Sequence, residues 1–137
     1  MTGMQFHRGR LIDHIQLVVE DYEASRRFYE AVLGVLGVPV LAGNGYFFAD
    51  DFCVSSGAPP TGRCHLAFQA KDQATVDAFY AAGLAAGGRD NGAPGPRDYH
   101  PNYYAAFLLD PAGNNIEAVN HGPATRSAAS VVIEAAP

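Results

Sequence analysis

The chain has a single lysine, Lys71; the other eight of its nine basic residues are arginines, scattered among fourteen acidic residues for a net charge of −5. No basic stripe is available to neutralise a phosphate backbone, so nucleic-acid binding is disfavoured. Apolar runs fall well short of the roughly 20 residues that span a bilayer, and the N-terminus lacks the charged-then-apolar pattern of a secretion signal. A cytoplasmic location without membrane contact is expected. Cysteine is equally scarce: Cys53 and Cys64 are the only two, and two thiols in a cytoplasmic chain are ordinarily left reduced.

The remainder is ordinary globular composition, 48% apolar and 17% charged, far from the regime of disordered chains. A length of 137 residues suits one domain, since domains commonly run to about 100–150 residues.

Within that length the sequence repeats itself. A shift of 51 places His14 on His65, Asp21 on Asp72, Phe28 on Phe79, Tyr29 on Tyr80, Ala31 on Ala82, Leu33 on Leu84 and Gly37 on Gly88, without a gap. Each matched position has a structural task. HIQLVV (14–19) and HLAFQA (65–70) are short, apolar and bounded by polar residues, as strands are. Asp21 and Asp72 stand where a carboxylate can accept from the free N–H groups of a helix start. Phe28, Tyr29, Val32, Leu33 and Leu36 then share one helical face, as do Val76, Phe79, Tyr80, Gly83 and Leu84. Gly37 and Gly88 suit the left-handed position that ends many helices.

Three β-like pieces follow each helix, at 38–42, 45–49 and 52–56 in the first half and about 89–91, 103–109 and 115–120 in the second. Gly43, Asn44 and Gly45, and the run DPAGNN (110–115), supply turn chemistry. The expected architecture is α+β: tandem βαβββ units, at about 11–57 and 62–121, whose strands form a cupped, partly open eight-stranded mixed sheet with helices outside. A flexible tail is expected over about 122–137, with an apolar cluster at Val131–Ile133 that could add an edge strand. The second unit is longer, His65 to Glu117 spanning 52 residues against 39 from His14 to Cys53. The extra residues are assigned to a loop, NGAPGPRDYHPN (91–102).

A histidine opening the first strand of each unit supplies two symmetric metal-ligand candidates, His14 and His65. Glu117, set among Ile116, Ala118 and Val119, would be costly to bury unless paired or bound to a cation. Two imidazoles and a carboxylate form a ligand set that leaves positions open for substrate or water.

DHIQLVVEDYEASRRFYEAVL, HLAF and DPAGNNIEAV together resemble the vicinal oxygen chelate superfamily, also called the glyoxalase, bleomycin-resistance and extradiol-dioxygenase superfamily. The resemblance covers residues 11–121. It implies a half-barrel cupped around one divalent ion (Fe, Zn, Ni or Mn) held by His14, His65 and Glu117, a substrate chelated through neighbouring oxygens, and a homodimer. Cys53 falls opposite Glu117, where some members carry a fourth carboxylate ligand; three protein ligands are expected here, with Cys53 a small buried hydrophobe.

The inserted loop and its exit add Arg97, Tyr99, His100, Asn102, Tyr103 and Tyr104. Of these, His100 and Tyr104 are the candidate catalytic residues, serving as proton donors or oxyanion partners. His7 and His121 carry no functional expectation. The resemblance leaves two functions open: a metal-dependent lyase, isomerase or dioxygenase acting on a small oxygen-chelating substrate, or a metal-free protein that sequesters a bleomycin-type small molecule.

Overall fold

A computed structural model of the protein describes residues 5–8 and 11–134. The first unit runs β2 (Ile15–Val19), α1 (Tyr22–Val35), β3 (Leu41–Ala42), β4 (Tyr46–Ala49) and β5 (Phe52–Ser56). The second runs β6 (His65–Gln69), α2 (Gln73–Ala85), β7 (Arg89–Pro96), β8 (Tyr104–Leu109) and β9 (Asn115–Asn120). Before and after them, β1 (Gln5–Arg8) and β10 (Val131–Glu134) pair antiparallel, so the apolar cluster near the C-terminus is a strand whose partner lies near the other end of the chain. The expected tail continues to residues 135–137, which lie outside the described residues.

The units are topologically identical. In each, the first strand pairs in parallel with the last, and the last pairs antiparallel with the strand before it, giving the orders β2-β5-β4-β3 and β6-β9-β8-β7. The fold is therefore α+β with tandem βαβββ units. Its eight strands divide into two open four-stranded sheets, and among the described residues no strand of one is hydrogen-bonded to a strand of the other.

Helix starts follow from the aspartates. Asp21 accepts from Ala24 N–H at 3.1 Å, and Asp72 from Thr75 N–H at 2.7 Å and Thr75 Oγ1–H at 2.6 Å. Helix ends correct the repeat by one residue. Gly37 takes the left-handed conformation at φ 77°, but its counterpart is Gly87, at φ 100°, rather than Gly88. Both ends close with the same bond pattern, Val38 N–H to Leu33 O and Gly88 N–H to Gly83 O, as the Schellman motif requires. The ungapped register slips because α2, at 13 residues, is one shorter than α1.

One face of each sheet packs under the helices in a common core that includes Leu17, Phe47 and Val54 of unit one and Leu108, Ile116 and Ala118 of unit two. Phe52 and Phe68 meet across the unit boundary with centroids 5.5 Å apart. The helices pack closely because Gly83 has no side chain: a Cβ there would lie 2.2 Å from Leu108 Cδ1 and 3.1 Å from Val32 Cγ1. Leu84, expected on the buried face of α2, is exposed.

The loop expected over 91–102 is also shorter than its composition suggests. β7 continues through Asn91, Pro94 and Pro96, with register shifts at Gly92 and between Gly92 and Gly95. Proline is tolerated because β7 is an edge strand, so a missing N–H interrupts no second ladder, and the glycines absorb the bulges.

Candidate functional site

Side-chain alternation leaves each sheet a second face, turned away from the helices. In unit two that face carries His65, Ala67 and Gln69 from β6, Glu117 and Val119 from β9, and Ala105 and Phe107 from β8. Ala105, Phe107 and Val119 form a small apolar cluster with Tyr103 beside it. Glu117 is opposite Ala67 on one side and Phe107 on the other.

Glu117 is 2% exposed, and both of its oxygens are engaged. His65 Nε2 lies 2.8 Å from Oε1, and the Tyr103 hydroxyl donates to Oε2. A carboxylate only accepts, so Nε2 carries the proton. Burial, reinforced by the bond to Glu117, pushes the Tyr103 phenol up to about 12. Among the described residues no lysine or arginine forms an ion pair with Glu117. A buried carboxylate flanked by an imidazole and a phenol thus faces an open surface, a donor chemistry suited to a divalent cation.

Tyr103 is itself held in an aromatic enclosure. His100 and His121 each meet its ring edge-on with centroids 5.2 Å apart, and Tyr99 does so at 4.9 Å. His100 Nε2 and His121 Nδ1 are 2.8 Å apart, while His100 Nδ1 is 2.7 Å from the Pro101 carbonyl. The carbonyl fixes the proton on His100 Nδ1, so Nε2 accepts from His121 Nδ1–H. Their ring planes differ by 21° with centroids 5.0 Å apart, the geometry of two imidazoles bonded end to end. On the other flank, the Arg97 guanidinium lies 5.3 Å from the Phe107 ring centre and donates to the carbonyls of Ala93, Gly95 and Pro96.

The sequence-derived site is thus brought together in part. His65 and Glu117 meet, and His100 stands behind Tyr103. His14 does not join them: it precedes β2 in unit one, exposed, with Nδ1 2.7 Å from Asp13 Oδ1. No group of three His, Cys, Asp or Glu side chains able to hold a metal forms among the described residues. Tyr104 sits on the helix-facing side of β8, its hydroxyl donating to Asp77 of α2 at 2.6 Å. In a strand consecutive residues face opposite ways, so it is Tyr103 that reaches Glu117. Cys53, paired with Gln16 as Glu117 is with Ala67, occupies the unit-one position equivalent to Glu117. It is half-buried, and burial pushes its thiol up.

Two residues of DPAGNN have roles that turn composition alone does not convey. Asp110, fully buried, accepts from Ala112 N–H, Asn114 N–H, the Asn114 side-chain amide and the Tyr29 hydroxyl of α1. Asn114 Oδ1 in turn accepts from Cys64 N–H at 2.9 Å. The motif therefore anchors β9, and with it Glu117, to β6 and to the other unit. The available signal was an aspartate between the apolar strand YAAFLL and a proline.

A two-unit βαβββ fold with a buried carboxylate beside an imidazole on one sheet face defines a class of small α+β proteins. Within that class, the model of the Glyoxalase/Bleomycin resistance protein/Dioxygenase superfamily matches residues 11–36 and 41–118, and the chain belongs to this superfamily. A glyoxalase/bleomycin resistance protein from Albidiferax ferrireducens T118 is 35% identical, with 80% of this chain and 97% of that one covered at a TM-score of 0.71. A glyoxalase/bleomycin resistance protein/dioxygenase family enzyme from Burkholderia phytofirmans PsJN is 22% identical, covering 79% and 96% at 0.62. A lactoylglutathione lyase from Agrobacterium tumefaciens is 23% identical, covering 80% and 92% at 0.57; these last two likenesses concern the fold alone. No curated protein matches the sequence.

Proposed function

We propose that the protein is a metal-dependent enzyme of this superfamily, a lyase, isomerase or dioxygenase that acts on a small substrate with neighbouring oxygens. The reading rests on Glu117, a carboxylate 2% exposed and kept without an ion-pairing lysine or arginine among the described residues. His65 and Glu117 would hold a divalent ion, whose service when bound is Lewis acidity towards substrate oxygens. Ligation through His65 Nε2 would need the ring's proton on Nδ1, a tautomer shift that releases no proton and leaves Glu117 Oε1 open to the ion. Tyr103 then presents a hydroxyl that remains a proton donor across the neutral range, and the His100–His121 pair keeps its ring in place.

His14 is the third ligand in this reading, supplied by a second copy of the chain in a homodimer. Three observations favour it. A single chain does not gather His14 with the other two. Asp13 accepts from His14 Nδ1–H, leaving Nε2 free to ligate, as carboxylates behind metal-binding imidazoles do. Leu11 and Ile12, just before it, are exposed apolar side chains, 89% and 45% accessible, as expected at an interface.

The test is elemental mass spectrometry on tag-free protein purified without chelator. The wild type is expected to carry about one metal per chain, and His65→Ala and Glu117→Gln to carry none while still folding. Co-refolding His14→Ala with Glu117→Gln should restore one metal per heterodimer, because one of its two sites is then intact. Metal retained by Glu117→Gln would refute the ligand assignment. A wild type empty even after exposure to iron, manganese, nickel and zinc would favour the metal-free, ligand-sequestering function.

A further inference from the structure

The open face of unit two does not end at Glu117. Two residues further along both strands, about 7 Å at the usual rise, Gln69 and Val119 face each other across the ladder and border a cleft of about 620 Å³. Lys71 and Arg126 line this cleft and also an adjoining recess of about 290 Å³, so both cations stand at their shared boundary. His121, whose ring meets that of Tyr103, lines the same cleft.

The charge is unusual for this molecule. The protein carries a net −5 and one lysine, yet that lysine and an arginine border one cleft, and neither makes an ion pair with any described residue. Among the described residues Arg126 donates only to the Ala129 carbonyl, at 3.2 Å. The one acidic residue in the lining, Asp72, is committed elsewhere: its Oδ1 accepts from both the N–H and the hydroxyl of Thr75. Those bonds, and to a lesser degree the charge of neighbouring Lys71, hold its carboxyl below the usual range, while its Oδ1 is turned into the helix cap. Two cations that make no ion pair among the described residues, beside the side-chain amide of Gln69, form an oxyanion-binding arrangement.

We infer that this cleft seats an anionic group, a carboxylate or a phosphate, at the far end of the small molecule whose reacting oxygens lie at Glu117. The inference rests on the reading of this face as the substrate site, and it narrows the substrate class to organic acids or phosphate esters. The ligand must reach past Gln69, a length that a two-carbon acid lacks.

The experiment is an NMR titration of the full chain with sodium phosphate and, separately, sodium acetate, at ionic strength held constant with sodium chloride. Saturable shifts at the amides of Lys71, Arg126 and their neighbours are expected from at least one anion, and the one that saturates names the group. The double variant K71Q/R126Q, at surface positions that leave the core intact, should bind about tenfold more weakly or worse, in line with the loss of charge-assisted hydrogen bonds. Shifts that fail to saturate for both anions, or that persist undiminished in the double variant, overturn the inference. The metal measurement separates the two proposals: a chain that binds the anion but no metal keeps the cleft and loses the metal, and a chain that binds metal while ignoring both anions does the reverse.

Discussion

At Tyr103, burial and a carboxylate act in the same direction. Both disfavour the phenolate, and the phenol is pushed up to about 12 from the ordinary value near 10. Replacing Glu117 by Gln removes the acceptor charge and should bring the Tyr103 titration back towards 10, as followed by ring-carbon NMR; an unmoved titration would mean that burial alone sets it. The stability consequence has a definite sign. The folded phenol keeps its proton where the unfolded one loses it, so stability is full below about pH 10 and declines as pH rises from 10 to 12. Denaturant melts of Tyr103→Phe should show a shallower alkaline decline, the remainder coming from other raised phenols such as buried Tyr29. His100→Ala should keep its metal and lose turnover, because Tyr103 loses one of its three aromatic neighbours; unchanged kinetics would reduce His100 to a loop residue.

Among the elements, the helices and the 110–114 turn carry the tightest constraints. Gly83 lies where a Cβ would overlap Leu108 and crowd Val32 and Phe28, and all three are fully buried. Gly83→Ala should therefore cost about 1–3 kcal/mol in chemical denaturation, despite the better helix propensity of alanine. Asp110→Ala leaves two backbone N–H groups, an amide and the Tyr29 hydroxyl without their acceptor. A loss of about 3 kcal/mol or more is expected, since each buried orphan donor costs about 1–3 kcal/mol; a loss under about 1 kcal/mol would mean that water replaces the carboxylate. At this scale the sequence was informative wherever a rule is local. Asp21 and Asp72 announce their helices because a cap bonds only three residues on. The extent of β7 was not legible, because two prolines argue against a strand unless that strand lies on an edge, and edge position is a property of the sheet.

Across the whole molecule the two units share one core and one buried polar link, Tyr29 to Asp110. They should unfold together: calorimetry is expected to show a single transition with equal calorimetric and van't Hoff enthalpies, and two resolved transitions would mean that the units are independent. The sequence by itself determined the repeat, the order of elements and the candidates His65 and Glu117, because strand alternation, helix period and capping act within a few residues. It also placed Cys53 opposite Glu117, since both occupy the same strand in equivalent units. Only the tertiary structure decided which of the two tyrosines entering β8 reaches Glu117, that His14 lies apart from His65 and Glu117 within one chain, and that Lys71 and Arg126 border one cleft. Those facts depend on how the two sheets are set against each other and on contacts between residues as far apart as 50 positions or more, where many local solutions are equally good and long-range packing selects one.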